Sequence, residues 1–186
     1  MKKIVIGLVG QIACGKGVMK QYLIKTNDAS DYRFSTILRD AMNRLSIELS
    51  RENLQKFSTT IRQNFGEDIL AKAIAKDAKD DSHHFIVIDG IRRMADIKYL
   101  KELPEFRLIS IHADKEIRLQ RVINRNENPG DDKKTMEEFE KEEMAEPEME
   151  IPQVMDNADY KINNNGSWDE LHSQIDAIVE KIKNEA

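Results

Sequence analysis

The chain alternates between short apolar runs and longer stretches in which apolar residues recur at helical spacing. Apolar runs that end at polar or turn-forming residues predict five strands, over residues 2–9, 31–34, 85–89, 106–112 and 159–162. The stretches between them place apolar side chains three or four positions apart, as a helix that buries one face requires. Strands that alternate with helices in this way predict an α/β protein, with a parallel sheet covered by helices on both faces.

Helix boundaries are marked by glycine, proline and capping residues. The longest helical pattern covers residues 51–79, and Gly66 is expected to interrupt it. Thr135 and Ser167 each stand three positions before a glutamate, which is the capping-box pattern that begins a helix. Shorter helices are predicted over residues 18–24, 36–45, 95–103 and 114–125.

Composition narrows the class of protein. With 186 residues, the chain is expected to form one domain with a sizeable core, over residues 1–186. Its formal net charge of −5 argues against a nucleic-acid partner, for which a basic surface is expected. No apolar run approaches the roughly 20 residues of a membrane span, so no membrane partner is expected. The single cysteine, Cys14, excludes an internal disulfide and fits a cytoplasmic location.

The most specific motif is Gly-Gln-Ile-Ala-Cys-Gly-Lys-Gly, at residues 10–17, between the first strand and the first helix. A strand, two glycines separated by four residues, a lysine and a helix together predict a phosphate-binding loop. Glycine allows the turn that points backbone N–H groups at an anion, and the helix N-terminus adds partial positive charge. Lys16 supplies a full positive charge for the outer phosphates. The candidate nucleotide ligands here are Gly10, Ala13, Cys14, Gly15, Lys16, Gly17 and Val18.

A second candidate site follows the third predicted strand, where Asp89 precedes Gly90 and two arginines. Ligands gather at the carboxyl ends of parallel strands, so Asp89 is expected to face the phosphate loop and to hold Mg²⁺ directly or through water. This carboxylate matters because Gly17 stands where most such loops carry a Mg²⁺-binding serine or threonine. Arg92 and Arg93 can each grip an anion bidentately. The simpler alternative is a strand-ending turn with surface arginines.

These motifs resemble those of P-loop small-molecule kinases of the nucleoside-monophosphate kinase group, which includes adenylate kinases, deoxynucleoside monophosphate kinases and dephospho-CoA kinases. Such enzymes carry Asp-Gly-Phe-Pro-Arg or Asp-Gly-Ile-Arg where this chain has residues 89–93. The resemblance implies a three-layer P-loop NTPase fold with a five-stranded parallel sheet. It implies a helical acceptor-binding segment at about residues 35–80 and a lid at about residues 126–147. It also implies ATP and Mg²⁺ as cofactors, and a nucleotide donor and a small-molecule phosphate acceptor as partners.

In the Asp-Gly-Phe-Pro-Arg and Asp-Gly-Ile-Arg motifs, the arginine binds the acceptor phosphate, which implies this role for Arg93 or for Arg92. The resemblance also assigns acceptor roles to two arginines earlier in the chain. Residues 34–39 resemble the start of the acceptor-binding segment, which implies that Arg39 grips the acceptor phosphate. Residues 54–62 resemble deoxynucleoside monophosphate kinases, in which an arginine at the position of Arg62 faces the acceptor. Without the family, both arginines would be interpreted as charge on a helix surface.

Donor roles follow from two further matches. Arg-Val-Ile-Asn-Arg, at residues 121–125, resembles the segment that enters the lid in adenylate kinases, which implies that Arg121 lies against the donor base and that Arg125 meets phosphate. Residues 157–171 resemble the last strand, turn and helix of dephospho-CoA kinases, where the turn at Gly166 would hold the adenine ring. Beyond the lid entry, residues 131–150 contain ten acidic residues and three lysines, and the acidic stretch over residues 137–150 is predicted to form a solvated, mobile face.

The leading hypothesis is transfer of the γ-phosphoryl group of ATP to a (deoxy)nucleoside monophosphate. The implied catalytic residues are Lys16, Asp89, Arg93 and Arg125. Two alternatives stay open. A dephospho-CoA kinase would phosphorylate a hydroxyl and would need a proton-accepting carboxylate, for which Asp28 and Asp31 are candidates. A nucleotide-binding module with weak ATPase activity is favoured by the missing loop hydroxyl.

Overall fold

The computed structural model describes residues 3–185, so Met1, Lys2 and Ala186, which the predicted ranges include, lie outside the described residues. A five-stranded sheet with strand order β2-β3-β1-β4-β5 forms its centre, and each pair of neighbouring strands is parallel. The strands are β1 (Ile4–Val9), β2 (Ser30–Arg33), β3 (Phe85–Asp89), β4 (Phe106–His112) and β5 (Tyr160–Asn163). The predicted α/β class and five-stranded parallel sheet are therefore confirmed.

Nine α-helices are described, together with two short 3-10 turns at Asp131–Lys133 and Glu146–Glu148. The helices are α1 (Lys16–Asn27), α2 (Phe34–Arg44), α3 (Arg51–Phe65), α4 (Ile69–Asp80), α5 (Met94–Ile97), α6 (Lys115–Arg125), α7 (Met136–Glu143), α8 (Ile151–Asp156) and α9 (Trp168–Glu185). Among residues 3–185, no helix is both long enough and apolar enough to cross a membrane.

The central strand β1 is buried along its whole length because it has apolar contacts on both faces of the sheet. Ile4, Ile6 and Leu8 pack in one cluster with side chains of α1 and α9. Val5 and Val9 point to the opposite face and pack with side chains of α2, α4 and α8. A strand covered on both faces must be apolar at every position, which explains the uninterrupted hydrophobic run in the sequence.

Two helix predictions need correction. The predicted helix over residues 95–103 is observed only as α5, since the chain turns afterwards and Leu103 N donates a 3.0 Å hydrogen bond to Leu100 O. Pro104 then prevents any extension. The helix α8 was not predicted, because it is only six residues long and its N-cap, Glu150, makes no capping hydrogen bond. The interruption at Gly66 (φ 104°) and the capping box at Thr135 are confirmed.

Candidate active site

The loop between β1 and α1 has a shape that requires glycine at two positions. A Cβ atom built on Gly10 would lie 2.5 Å from the carbonyl oxygen of Ile111 and 2.6 Å from Sγ of Cys14. Gly15, directly before α1, has a φ of 105°, in the left-handed region that favours glycine. Ala13 also adopts a left-handed φ, of 59°. The glycines that define the sequence motif are therefore needed for this backbone path.

Two carbonyl groups of the loop are held from outside by buried side chains. Arg118 Nη1 donates a 3.2 Å hydrogen bond to Ile12 O, and Asn164 Nδ2 donates a 2.8 Å bond to Cys14 O. Arg121 supports the second contact, since its Nη2 donates to Asn164 O at 2.7 Å and its Nη1 lies 3.5 Å from Cys14 O. With these carbonyl groups turned outward, successive N–H groups of the loop can face an anion.

Lys16 lies across the loop that it follows. Its ammonium group donates hydrogen bonds to the carbonyl oxygens of Gly10 and, at 3.2 Å, of Gln11. Its Nζ is also 3.8 Å from Sγ of the buried Cys14. The structure therefore concentrates positive charge at the loop, as the motif predicts.

The first turn of α1 has room for the side chain that this loop lacks. A Cβ atom built on Gly17 would meet no other described heavy atom within 4 Å, and the φ of Gly17 is outside the left-handed region. Val18, the next residue, is 36% exposed. The backbone at position 17 would therefore accept a serine or threonine, and the loop lacks a hydroxyl there only because the residue is glycine.

Asp89 ends β3 beside the loop helix, and its carboxylate lies between two cations. Asp89 Oδ2 accepts hydrogen bonds from Nη2 (2.9 Å) and Nε (3.3 Å) of Arg33, and it lies 3.9 Å from Nζ of Lys20. Lys20 is one helical turn beyond Lys16 on α1. Burial raises the pKa of Asp89. The hydrogen bond and charge of Arg33, the N–H of Gly90 and the charge of Lys20 together outweigh burial and hold that pKa below its ordinary value.

A magnesium ion is compatible with this carboxylate only through additional ligands. Asp89 Oδ1 already accepts a 2.7 Å hydrogen bond from Gly90 N, and Oδ2 is engaged by Arg33. Within residues 3–185, no group of three or more His, Cys, Asp or Glu side chains could hold a metal ion. Magnesium is commonly bound by one or two carboxylates with waters and substrate phosphates, and Asp89 fits that kind of site.

The turn after β3 is organised by Asp96, which the sequence analysis missed. This carboxylate is 2% exposed and accepts hydrogen bonds from the backbone N–H groups of Arg92 and Arg93, each 3.0 Å long. It also accepts a 2.9 Å bond from Nη2 of Arg62. Arg62 is only 5% exposed, so it lies behind the turn and supports it. The sequence carries no capping signal for Asp96, because Arg93 stands at the N-cap position and an arginine side chain cannot accept a hydrogen bond.

Acidic residues from the predicted lid and just beyond it contact this turn. Arg93 Nη2 lies 2.5 Å from Oε1 of Glu146, and Arg92 Nη2 lies 3.4 Å from Oε1 of Glu148. Residues 146–150, named here the acidic segment, also include Glu150, whose Oε2 accepts a 3.0 Å hydrogen bond from Met94 N. The prediction of a solvated face agrees with the exposure of Glu146 and Glu150, although both have cationic or N–H partners. It is wrong for Glu148, whose side chain is only 14% exposed.

Three other predicted site residues, Arg39, Arg125 and Gly166, lie away from the contacts that support the loop. Arg39 is exposed on α2, and Arg125 ends α6 with Nε 3.1 Å from Oε2 of Glu127. Among the described residues, neither makes a hydrogen bond or an ion pair with the loop. Gly166 lies in the turn between β5 and α9. The loop contact from this region comes instead from Asn164, two residues earlier, which is buried. A short polar run after a predicted strand was the only sequence signal for it.

Comparison with protein families places the loop within a known domain type. The model of the AAA_17 family, described as an AAA domain, matches residues 9–140, well over half of the chain. Curated relatives are named UPF0200 protein. The one from Hyperthermus butylicus is 25% identical over 180 residues, covering 97% of this chain and 95% of the relative. The one from Staphylothermus marinus is 26% identical over 182 residues, covering 98% and 94%.

Solved structures share the fold over nearly the whole chain. TT1252 from Thermus thermophilus has a TM-score of 0.66 at 16% identity, covering 97% of this chain and 98% of the other. Shikimate kinase from Bacteroides thetaiotaomicron has a TM-score of 0.62 at 10% identity, covering 97% and 98%. Dephospho-CoA kinase from Campylobacter jejuni has a TM-score of 0.61 at 17% identity, covering 99% and 100%.

At these identities the structural likeness shows the fold, and it confirms the expected P-loop kinase-like architecture. The family match begins at Val9 and includes the whole glycine loop and the strand that ends in Asp89. The chain belongs to the AAA_17 family of AAA domains and has a P-loop kinase-like fold.

Proposed function

We propose that this protein is an ATP-dependent small-molecule kinase that transfers the γ-phosphoryl group to the phosphate of a (deoxy)nucleoside monophosphate. The observation that carries this proposal is the position of Asp89, between Lys20 of the loop helix and Arg33 of the neighbouring strand. Asp89 thus lies between the helix that follows the phosphate loop, which suits a donor polyphosphate, and cations that suit an anionic acceptor. The P-loop kinase-like fold agrees with this division.

On the donor side, Lys16 and the loop amides hold the β- and γ-oxygens. Gly10, Ala13, Cys14, Gly15, Gly17 and Val18 form the rest of the phosphate site. Arg121 and the turn at Gly166 flank the donor base. Arg121 suits this place because it already joins the loop to the end of β5 through Asn164.

On the acceptor side, the charges favour a phosphate over a hydroxyl. Arg33 stands level with Asp89 in the register of β2 and β3, at the strand end nearest the loop helix. A hydroxyl acceptor would need a proton-accepting carboxylate in such a place, whereas a phosphate acceptor benefits from a cation. Arg92 and Arg93 add two further guanidinium groups, and the exposed Arg39 contributes as the acceptor-binding helices close.

Transfer proceeds in one step, in which an oxygen of the acceptor phosphate forms a bond to the γ-phosphorus as the bond to the β-γ bridging oxygen breaks. Lys16, Arg93 and Arg125 neutralise the charge that spreads over the transferring group. Asp89 would orient Mg²⁺, which when bound supplies further charge neutralisation. Closure of residues 126–147 over the site would exclude water as a competing acceptor.

A second candidate, a kinase for the hydroxyl of dephospho-CoA, is favoured by one contact. Asp31 lies on β2 with Oδ2 2.8 Å from Nζ of Lys20, so a carboxylate is present beside the loop helix. A dephospho-CoA kinase also shares the fold. Asp28, the other candidate base, is the C-terminal cap of α1 with a φ of 50°.

The test is a panel of acceptors incubated with γ-labelled ATP and Mg²⁺. Ribo- and deoxyribonucleoside monophosphates, dephospho-CoA and a reaction without acceptor are compared. We expect label on one or more nucleoside monophosphates, and loss of ATP that depends on them. Label on dephospho-CoA alone would establish the second candidate. ATP binding with no acceptor-dependent loss of ATP would identify a nucleotide-binding module with weak ATPase activity and overturn both kinase proposals.

A further inference from the structure

Arg118 on α6 is a buried cation that the proposed reaction does not use directly. It is 2% exposed, which is unusual for an arginine in the first turn of a helix. Its Nε donates a 2.9 Å hydrogen bond to Ala113 O, and its Nη1 donates a 3.2 Å bond to Ile12 O in the phosphate loop. Its guanidinium carbon also lies 5.3 Å from the centre of the fully buried Phe139 ring on α7. Arg118 therefore touches the phosphate loop and the lid helix at the same time.

Glu143, the last residue of α7, completes this connection. Its Oε1 lies 2.5 Å from Nη1 of Arg118 and accepts a 3.0 Å hydrogen bond from Nε2 of Gln11. Gln11 is itself a loop residue, next to Ile12. One carboxylate oxygen thus joins α7 to α6 and to the loop, with only 3% of the Arg118 side chain and 13% of the Glu143 side chain exposed.

A second ion pair between the same two helices provides a natural comparison. Lys115 Nζ lies 2.8 Å from Oε1 of Glu140, but both side chains are about two-fifths exposed (39% and 43%) and neither contacts the loop. An exposed pair contributes little to the position of its partners, because water and salt screen it. Removal of one partner from a buried pair leaves an uncompensated charge and forces a rearrangement. Loss of the Lys115–Glu140 pair would therefore affect only the contact between α6 and α7. Loss of the Arg118–Glu143 pair would affect that contact and also the loop.

We propose that Arg118 and Glu143 are positioning residues that couple the docking of α7 to the shape of the phosphate loop. The coupling rests on the proposed function, in that the loop is taken as the donor-phosphate site. Arg118 holds the Ile12 carbonyl outward, and Glu143 anchors the Gln11 side chain, so the loop keeps its anion-binding form only while α7 is docked. Binding of ATP must then strengthen docking of α7, because a coupling free energy acts equally in both directions.

The experiment measures the affinity for ATP by calorimetry, and the hydrogen exchange of α7 amides with and without ATP. The variants are Arg118→Met and Glu143→Gln, with Lys115→Met as the matched control on the same pair of helices. We expect each of the two variants to bind ATP about tenfold more weakly, which is the size of a typical coupling, and Lys115→Met to bind it within about twofold of the wild type. ATP should slow exchange in α7 of the wild type and of Lys115→Met, and should not do so in Arg118→Met. Arg118→Lys, which keeps the charge but not the planar set of donors, should recover part of the affinity.

If Glu143→Gln binds ATP as tightly as the wild type, the coupling is overturned. The same holds if Arg118→Met folds with lower thermal stability but unchanged ATP affinity, and Arg118 then has a purely structural role. Should Arg118→Met fail to fold, Glu143→Gln decides the question, since it removes the negative charge but keeps a side chain of the same size that can still accept a hydrogen bond from Gln11. Lys16→Ala separates the two proposals. If Lys16→Ala binds ATP as the wild type does, the loop is not the donor site and the proposed function fails. If only Lys16→Ala loses affinity, the coupling alone fails.

Discussion

Arg33 and Asp89 end neighbouring parallel strands at the same level, and Nη2 of Arg33 lies 2.9 Å from Oδ2 of Asp89. Half of the Arg33 side chain is exposed, whereas only 9% of the Asp89 side chain is. The buried member of the pair is therefore a carboxylate suited to orient a metal ion, and the exposed member is a cation that an anionic acceptor can reach.

Substitution of Arg33 tests the acceptor side. We expect Arg33→Met to raise the KM for the nucleoside monophosphate about tenfold or more, because a charge-assisted hydrogen bond is worth roughly 1.5–3 kcal/mol. The KM for ATP should change much less. Steady-state kinetics with one substrate saturating measures both values. The control is Lys25→Met, which removes an exposed charge from the last turn of α1. An unchanged acceptor KM in Arg33→Met would remove this residue from the site.

Substitution of Gly17 tests whether a hydroxyl in the loop would strengthen the binding of Mg²⁺. Because a side chain fits there, we expect Gly17→Ser to fold normally and to lower the Mg²⁺ concentration for half-maximal activity by about threefold, as an added oxygen ligand should. Titration of Mg²⁺ at fixed ATP measures this value. Gly17→Ala fills the same space without a hydroxyl and should leave the Mg²⁺ requirement unchanged. An equal response of both variants would show that side-chain volume, rather than ligation, is responsible.

The acidic segment should compete with the acceptor. Glu146 and Glu148 pair with the arginines proposed to bind the acceptor phosphate, so that phosphate must displace them. We expect the double variant Glu146→Gln with Glu148→Gln to lower the acceptor KM by about threefold, the scale of exposed ion pairs. Glu137→Gln, on the exposed face of α7, should have no such effect. A higher acceptor KM in the double variant would show that the segment assists binding.

The lowered pKa of Asp131, in the predicted lid, should make the stability of the folded protein depend on pH. Hydrogen bonds from Lys134 and Asn128 lower its pKa to about 2. Because the pKa in the folded state is depressed, the stabilisation is complete above the unfolded value of about 4 and is lost as the pH falls towards 2. Asp131→Asn should therefore melt below the wild type at pH 7, with the difference shrinking towards pH 2. Thermal melts across this range measure it, with the exposed Asp132→Asn as control. A difference that is constant with pH would contradict the assignment.

Much of the fold could be predicted from the sequence because its signals are local. Uninterrupted apolar runs are typical of strands buried on both faces, and the glycine loop is confined to eight residues. The break at Gly66 and the capping box at Thr135 depend on neighbours within a few positions.

The supporting contacts of the site could not be predicted in the same way. Asn164 and Cys14 are 150 positions apart, and Gln11 and Glu143 are 132 apart, so their pairing depends on the completed sheet. Arg62 has the spacing of a helix-surface residue, yet it is buried because Asp96 provides a partner inside the fold. Long-range pairing of charges, rather than local propensity, thus decides which arginines reach the site.

The central claim is that the loop beginning at Gly10 binds the phosphates of a nucleotide and presents one of them for transfer. The most direct measurement is transfer of label from γ-labelled ATP to a nucleoside monophosphate by the wild type and by Lys16→Ala, with circular dichroism to establish that the variant is folded. We expect transfer by the wild type and a loss of at least about a hundredfold in folded Lys16→Ala, as for removal of a charge-stabilising group. Equal transfer by both proteins would contradict the central claim.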